Sequence, residues 1–402
     1  MPHVPHTPAS LDASTRRAIL LLSFATFSSM VSQRICDAML PELSREFGVP
    51  LAAAAQVVSM FAVVYGVSQL FYGPMGDRLG KFRVVTWATL GCSVASVGAV
   101  VAGSLDALVL SRMLVALGAG AIIPLALAWT GDAVPYAQRQ ETLARVGVGT
   151  ATGIVAGQLA GGVLTDTFGW RWAFVFMASL FGVVGLLLAM NLRRQPVPVP
   201  QTEERTGFAR QALQIVTGKW SRIVLVVALI EGAVGFGVIA IWPAHLNQRL
   251  GLSLALSGLI VSLYGVGGVL YMLVARRLIH RLGERGLSRL GVGMVAASAL
   301  TLGLAPVWQL APLATLCAGF GFFMFHNTIQ ANATQMAAHA RGTGVSLFAA
   351  CLFTGQSIGV SLATLLVAPL GSAAVIVLGG LLLLTLGFYF AHRLRQRDVL
   401  AA

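Results

Sequence analysis

Charged residues are scarce in this sequence of 402 residues. Asp, Glu, Lys and Arg make up only 10% of it, hydrophobic residues make up 57%, and the mean hydropathy is +0.82. An ordinary soluble domain carries about 25% charged residues, so that class is excluded. No polar interruption is long enough for a soluble catalytic domain, and no glycine-rich loop ends in Lys-Ser or Lys-Thr as nucleotide binding requires. We therefore predict an all-α polytopic membrane protein that is neither an enzyme nor an ATP-driven pump.

Cysteine is also rare. The four cysteines, Cys36, Cys92, Cys317 and Cys351, all fall in apolar runs and show no metal-ligand spacing. No pair of histidines has such a spacing either. We expect the cysteines to be packing residues, with no metal site and no cofactor.

Long apolar runs account for most of the chain. A run of about 20 residues crosses the ~30 Å hydrocarbon core of a bilayer, and twelve runs of this kind are present. The longest polar interruption, 193–221, contains three prolines and divides the twelve apolar runs into two sets of six. We predict a tail (1–16), a six-helix bundle (17–192), a cytoplasmic linker (193–221), a second six-helix bundle (222–391) and a tail (392–402).

The net charge of +13 follows membrane topology. Of the 27 Lys and Arg residues, 22 fall on the termini and one set of alternate loops, three on the other set (Arg45, Arg171, Arg249) and two inside apolar runs (Arg34, Arg112). By the positive-inside rule both termini are cytoplasmic. The expected partner of this positive charge is the lipid bilayer, not nucleic acid.

A short polar stretch, Gly-Pro-Met-Gly-Asp-Arg-Leu-Gly-Lys-Phe-Arg at 73–83, separates the second and third runs. Its charges are costly in hydrocarbon, so we predict a tight turn at a membrane face. A shift of 203 residues places 77–81 over His280-Arg281-Leu282-Gly283-Glu284, and Pro41 with Gly48 reappears as Pro243 with Gly251. The two halves are therefore predicted to be structural repeats.

The 73–83 stretch resembles the signature loop between helices 2 and 3 of the major facilitator superfamily. Arg112 with Gly118 and Gly120 resembles part of its helix-4 pattern. A glycine series in helix 5 resembles its antiporter motif, with Gln158 in place of the usual proline. The helix-packing glycines of that series are Gly153, Gly157, Gly161 and Gly162.

The resemblance implies a fold and a function. The fold is two pseudo-symmetric six-helix bundles, and the function is secondary transport of a small molecule by rocker-switch alternating access. We expect proton-coupled export by a monomer in a bacterial inner membrane. The resemblance also assigns Asp77 to a conformational switch that stabilises the outward-facing state. The predicted switch residues are Gly73, Asp77, Arg78, Gly80, Lys81, Asp132 and Arg139.

Ionisable groups inside the spans are the candidate site residues, because each costs about 2.5–3.5 kcal/mol at a helix centre. Asp37 lies four residues before Pro41, as in the superfamily's drug:proton antiporters, and Glu231 lies near mid-membrane. We predict that these two acids respond to protons or cations. The predicted substrate cavity contains Gln33, Arg34, Arg112, Gln158, His326, Asn327, Gln330 and Gln356.

Two alternatives stay open. Arg34 and Asp37 are three residues apart, so they could simply neutralise each other. The chain could also be a proton symporter or facilitator that imports a small organic anion, with Arg34 and Arg112 binding its carboxylate.

Overall fold

The computed structural model describes residues 12–192, 208–337 and 340–401, which are almost entirely helical and include no strand. Within these ranges, eleven helical segments are long and apolar enough to cross a bilayer. One segment, Leu254–Leu304, has 51 residues; at 1.5 Å per residue it is more than twice the ~30 Å of a bilayer core. Gly283 divides this segment, because its φ of 62° and ψ of 178° are not helical. The described chain therefore has twelve spans, and the predicted fold class is confirmed.

The spans are numbered α1 to α12 in chain order. A separate linker helix, Phe208–Thr217, precedes α7. The spans are α1 (Ala13–Glu46), α2 (Leu51–Leu79), α3 (Lys81–Val100), α4 (Leu105–Ala133), α5 (Tyr136–Phe168), α6 (Trp170–Leu192), α7 (Lys219–Leu250), α8 (254–282), α9 (284–304), α10 (Trp308–Gln335), α11 (Arg341–Leu370) and α12 (Ser372–Ala401).

Left-handed glycines show the internal repeat. The described residues with positive φ are all glycines: Gly48, Gly80 and Gly169 in the first half, and Gly251, Gly283 and Gly371 in the second. Corresponding members are 202 or 203 positions apart. Side chains are strained at such φ values, so the turns of both halves need glycine at the same places.

The first span of each half is broken next to an acidic residue. In α1 a 3-10 turn at Asp37–Met39 interrupts the helix. Pro41 explains it, because proline has no N–H to donate to the carbonyl of Asp37 and its ring would clash with that carbonyl. In α7 a π-helical segment, Gly232–Gly237, begins directly after Glu231. Both predicted acids thus lie at irregular backbone.

The two halves meet on the face opposite the termini. Twelve spans place both ends of the chain on one face, here called the terminus face; the other is called the opposite face. Near the opposite face, where α5 ends and α8 begins, Asp166 Oδ2 accepts a hydrogen bond from the Ala255 backbone N–H at 3.3 Å. Nearer mid-membrane, the rings of Tyr65 and Phe353 pack 4.7 Å apart.

Several predicted boundaries are wrong. Gly73 lies inside α2, which continues to Leu79, so only Gly80 separates α2 from α3. The helix α1 begins at Ala13, where Asp12 accepts from the Thr15 backbone N–H at 3.3 Å, and α12 continues through the predicted tail to Ala401. Hydropathy marks only the part of a helix that is in hydrocarbon, and these helices project beyond it. Residues 1–11, 193–207, 338–339 and 402 lie outside the described residues.

Candidate functional site

Asp37 lies at the break in α1 and is fully buried. Its Oδ2 is 3.4 Å from Nη1 of Arg34, one turn earlier, and accepts a hydrogen bond from the Gln158 amide at 2.7 Å. Its Oδ1 has no hydrogen-bond partner among the described residues. The predicted pairing of Arg34 with Asp37 is therefore present, and α5 contributes a third group.

A line of glycines on α5 allows Gln158 to reach Asp37. An added Cβ at Gly153, Gly157 or Gly161 would lie only 2.6, 2.7 or 2.1 Å from a backbone carbonyl oxygen of α1. At Gly162 it would lie 2.4 Å from the Leu254 carbonyl oxygen on α8. All four predicted packing glycines thus lie where a helix backbone comes too close for any side chain.

Among the described residues Arg112 forms no salt bridge with Asp37, which pairs with Arg34. Its guanidinium donates to the Ser32 carbonyl at 2.7 Å, to Ser32 Oγ at 3.2 Å and, through Nε, to the Val57 carbonyl at 3.4 Å. Its Cζ also lies 4.1 Å from the ring centroid of Phe61. Backbone and hydroxyl oxygens of α1 and α2 thus satisfy the Arg112 guanidinium, and Arg34 is the arginine that pairs with Asp37.

Glu231 and His326 form the second buried pair. Oε1 of Glu231 is 3.1 Å from Nδ1 of His326, and Glu231 is fully buried. The other carboxyl oxygen, Oε2, has no hydrogen-bond partner among the described residues. Four phenylalanine rings surround the imidazole with centroids 5.6 to 6.2 Å away, those of Phe236, Phe322, Phe323 and Phe348. Both residues are predicted site residues, but their pairing is not apparent from the sequence.

Phe236 joins the two buried pairs across the boundary between the halves. The Arg34 guanidinium lies 4.6 Å from the centroid of its ring, in cation–π geometry. The same ring meets the His326 imidazole edge to face. The first half contributes Asp37 and Arg34, and the second contributes His326 and Glu231. One aromatic ring of α7 separates them.

The other predicted cavity residues are more dispersed. Gln33 is buried, with an amide nitrogen that has no partner among the described residues, and neither amide atom of Gln356 has one. Asn327 is half-buried. Gln330 is exposed one turn beyond His326 on the same side of α10. The predicted cavity residues of α10 therefore differ in exposure and do not form a single buried cluster.

The sequence profile of the Major Facilitator Superfamily matches residues 22–360, with a further match over 224–400. The chain belongs to this superfamily. Membership makes the protein a multi-pass membrane transporter and not an enzyme, as predicted.

Proteins similar in sequence include a multidrug export protein and an antibiotic resistance protein. The multidrug export protein EmrB of Escherichia coli (strain K12) is 27% identical over 175 residues, which are 44% of this chain and 34% of EmrB. That match spans about a third of the relative's length. The chloramphenicol resistance protein of Pseudomonas aeruginosa is 25% identical over 312 residues, 74% of this chain and 70% of that protein.

The fold also has close counterparts among solved structures. A bacterial homolog of the human lysosomal transporter Spinster, in an inward-facing and occupied conformation, aligns with a TM-score of 0.77. The alignment covers 96% of this chain and 98% of that one, at 16% sequence identity. At this identity the likeness concerns the fold alone.

The stretch that resembles the superfamily's signature loop contains a cluster of ion pairs. Nζ of Lys81 lies 3.2 Å from Oδ1 of Asp77 and also donates a hydrogen bond to the carboxylate of Asp132 at the end of α4. Arg78 is exposed. The side chain of Arg139 lies outside the described residues. The switch role of these residues stays a prediction.

The second half contains a corresponding cluster with reversed charge. Glu284, which the 203-residue shift places over Lys81, lies 3.2 Å from Nη2 of Arg397 on α12. Nη1 of Arg397 donates to Asn332 Oδ1 on α10 at 2.6 Å, and its Cζ lies 5.1 Å from the centroid of a Trp220 ring. This cluster was not predicted from the sequence. The one signal for it in the sequence is that the repeat aligns the acid Glu284 with the base Lys81.

Proposed function

We propose that this transporter exports a small organic molecule, drug-like or a metabolite, in exchange for protons. The observation that carries the proposal is two buried acid–base pairs, Asp37 with Arg34 and Glu231 with His326, one in each half. The basic members of the two pairs both contact the ring of Phe236. The names of the relatives favour multidrug export. Proton coupling follows from the chemistry of the acids.

Each acid offers one oxygen to a proton or a cation. Asp37 and Glu231 each have one engaged carboxyl oxygen and one without a partner among the described residues. A buried carboxylate is unfavourable unless a proton or a positive charge neutralises it. Binding a cationic substrate beside either acid therefore favours release of its proton, and reprotonation favours release of the substrate. Arg34 keeps Asp37 only partly neutralised, since it contacts one oxygen at 3.4 Å.

The breaks at Asp37–Met39 and Gly232–Gly237 supply the hinges in this proposal. Both lie next to an acid, so a change in its protonation acts directly on backbone that lacks regular helical hydrogen bonds. The halves then rock about the central pairs, opening the opposite face as the terminus face closes. The signature loop with Asp77 and Lys81 stabilises one of the two states. The protein acts as a monomer in a bacterial inner membrane, with both termini in the cytoplasm.

The test uses everted membrane vesicles with an imposed pH gradient. Asp37→Asn and Glu231→Gln are compared with Glu46→Gln, a control that removes an exposed carboxylate paired with Arg171 on the opposite face. Cationic, zwitterionic and anionic compounds are added in turn. We expect substrate-evoked proton movement in the parent and the control, and its loss in at least one of the two buried variants. Solute transport without proton movement, equal in all four proteins, would overturn the proposal.

Import of an organic anion is the rival function, with Arg34 and Arg112 binding the carboxylate. The structure favours it less, because Arg112 already donates to two backbone carbonyls and one hydroxyl. Arg34→Gln and Arg112→Gln separate the two. Loss of a strict anion preference in both variants would support import.

A further inference from the structure

An apolar groove lies outside the central site, at the opposite face. Its volume is about 580 Å³, and it is bounded by the ends of α7, α9 and α11 and by the start of α12. Leucine and valine form its walls, among them Leu304, Leu378 and Leu381. The one charged residue in its lining is Arg249.

Arg249 differs from the other two cations of the opposite face. Arg45 pairs with Glu42, and Nη1 of Arg171 lies 2.9 Å from Glu46 Oε1. No carboxylate among the described residues lies within salt-bridge distance of Arg249, which is exposed. A cation left without a protein counter-charge at a membrane surface attracts an anion from its surroundings.

The helical turn that carries Arg249 is held by His245, one turn earlier on the same side of α7. This imidazole is buried; its Nδ1 lies 2.8 Å from Ser372 Oγ and its Nε2 lies 3.1 Å from the Leu302 carbonyl oxygen. Through these two bonds the last turn of α7 is attached to the start of α12 and to α9. Arg249 is thereby held at the mouth of the groove.

The groove has the dimensions of part of one lipid chain. From Ala373 to Leu381, the part of α12 that lines the groove, the helix descends by roughly 12 Å, most of the thickness of one leaflet's hydrocarbon, which is about 15 Å. Leu304 is 66% exposed, and Leu378 and Leu381 are each 42% exposed. An apolar surface of this depth with a single cation at its mouth matches an amphiphile that has an anionic head.

We propose that this groove binds one anionic phospholipid from the leaflet opposite the termini. Its phosphate pairs with the Arg249 guanidinium, and one acyl chain lies between α9 and α12. The site is separate from the central pairs and does not depend on the direction or coupling of transport.

Purified, delipidated protein in neutral detergent is titrated with phosphatidylglycerol, and retained lipid is counted by native mass spectrometry. Arg249→Gln removes the head-group contact, and Arg249→Lys keeps the charge. Ala374→Phe fills the groove at an exposed lining position without altering charge. Arg45→Gln is the matched control, because it removes one cation from the same face.

We expect binding of the first lipid to weaken by roughly fivefold in Arg249→Gln, the effect of one basic residue near a charged head group. Ala374→Phe should weaken it as well, whereas Arg249→Lys and Arg45→Gln should bind like the parent. Equal weakening in Arg45→Gln would show that overall charge alone attracts the lipid and would overturn the proposal. Equal binding of phosphatidylcholine, or full competition by glycerol phosphate without acyl chains, would also overturn it.

Discussion

Gly161→Ala tests whether the close contact between α1 and α5 positions the carboxyl group of Asp37. The new Cβ would lie 2.1 Å from the Ile35 carbonyl oxygen. A carbon and a carbonyl oxygen approach no closer than about 3.3 Å, so the two helices must separate there by roughly 1 Å. Only backbone lies on both sides of the contact, so no side-chain rotation relieves it.

The separation has a consequence at the site. Gln158 donates to Asp37 at 2.7 Å, one turn from Gly161 on the same pair of helices. Moving the helices apart by about 1 Å takes this bond beyond the usual limit of about 3.2 Å. Overpacking a close contact costs about 1–3 kcal/mol, whereas replacing a helical glycine by alanine contributes about 0.5–1 kcal/mol of stability. The overpacking cost is the larger, so the substitution should lower the free energy of unfolding and weaken transport.

The matched control is Gly147→Ala on the same helix, where an added Cβ has no heavy atom within 4 Å. The thermal unfolding midpoint of each purified protein is measured in one detergent, together with transport in vesicles. We expect a lower midpoint and slower transport for Gly161→Ala, and an unchanged or higher midpoint for Gly147→Ala. If both variants match the parent in both assays, the close approach of α1 and α5 at Gly161 is refuted.

Two further substitutions follow from packing and charge. Gly162→Leu should hold α5 away from α8, because an added Cβ lies 2.4 Å from a backbone oxygen of α8. The reporter is Ser257→Cys, a position that is buried in the parent. Its thiol should react faster with an impermeant maleimide when Gly162 is replaced. The control is Gly91→Leu, because an added Cβ at Gly91 has no heavy atom within 4 Å, and it should leave the labelling rate unchanged. Equal labelling rates in the Gly162→Leu and Gly91→Leu proteins would refute the contact. Arg397→Gln should lower the free energy of unfolding by about 1 kcal/mol or less, because the ion pair with Glu284 is partly exposed. A small fall in the unfolding midpoint would show this. Arg395→Gln, exposed on the same turn, should have no effect, and a fall of equal size there would contradict the role given to Arg397.

Local relations along one helix were predictable. Arg34 and Asp37 are three residues apart on α1 and are found in contact. The offset that aligns Asp77 with His280 also aligns Gly80 with Gly283, and both glycines adopt positive φ. These relations depend only on helical periodicity and on the conformations that glycine permits, so no knowledge of neighbouring helices was needed.

Partners on different helices were not predictable. The sequence does not show where the Arg112 guanidinium points, and in the structure it donates to Ser32 and Val57. Depth follows from counting residues, but the direction in which a side chain points depends on how its helix is rotated against its neighbours. The same holds for Arg397, whose contact with Glu284 requires α12 to extend beyond the membrane beside α8 and α9.

The sequence by itself determined the class of protein, the twelve spans, the repeat and the few ionisable residues within the membrane, because hydropathy and periodicity are local properties. Tertiary structure alone decided that Gln158 donates to Asp37, that Glu231 pairs with His326 and that Phe236 lies between the two pairs. Those contacts require specific rotations and separations of neighbouring helices. Residues far apart in the chain set these together, in part through close contacts at glycines.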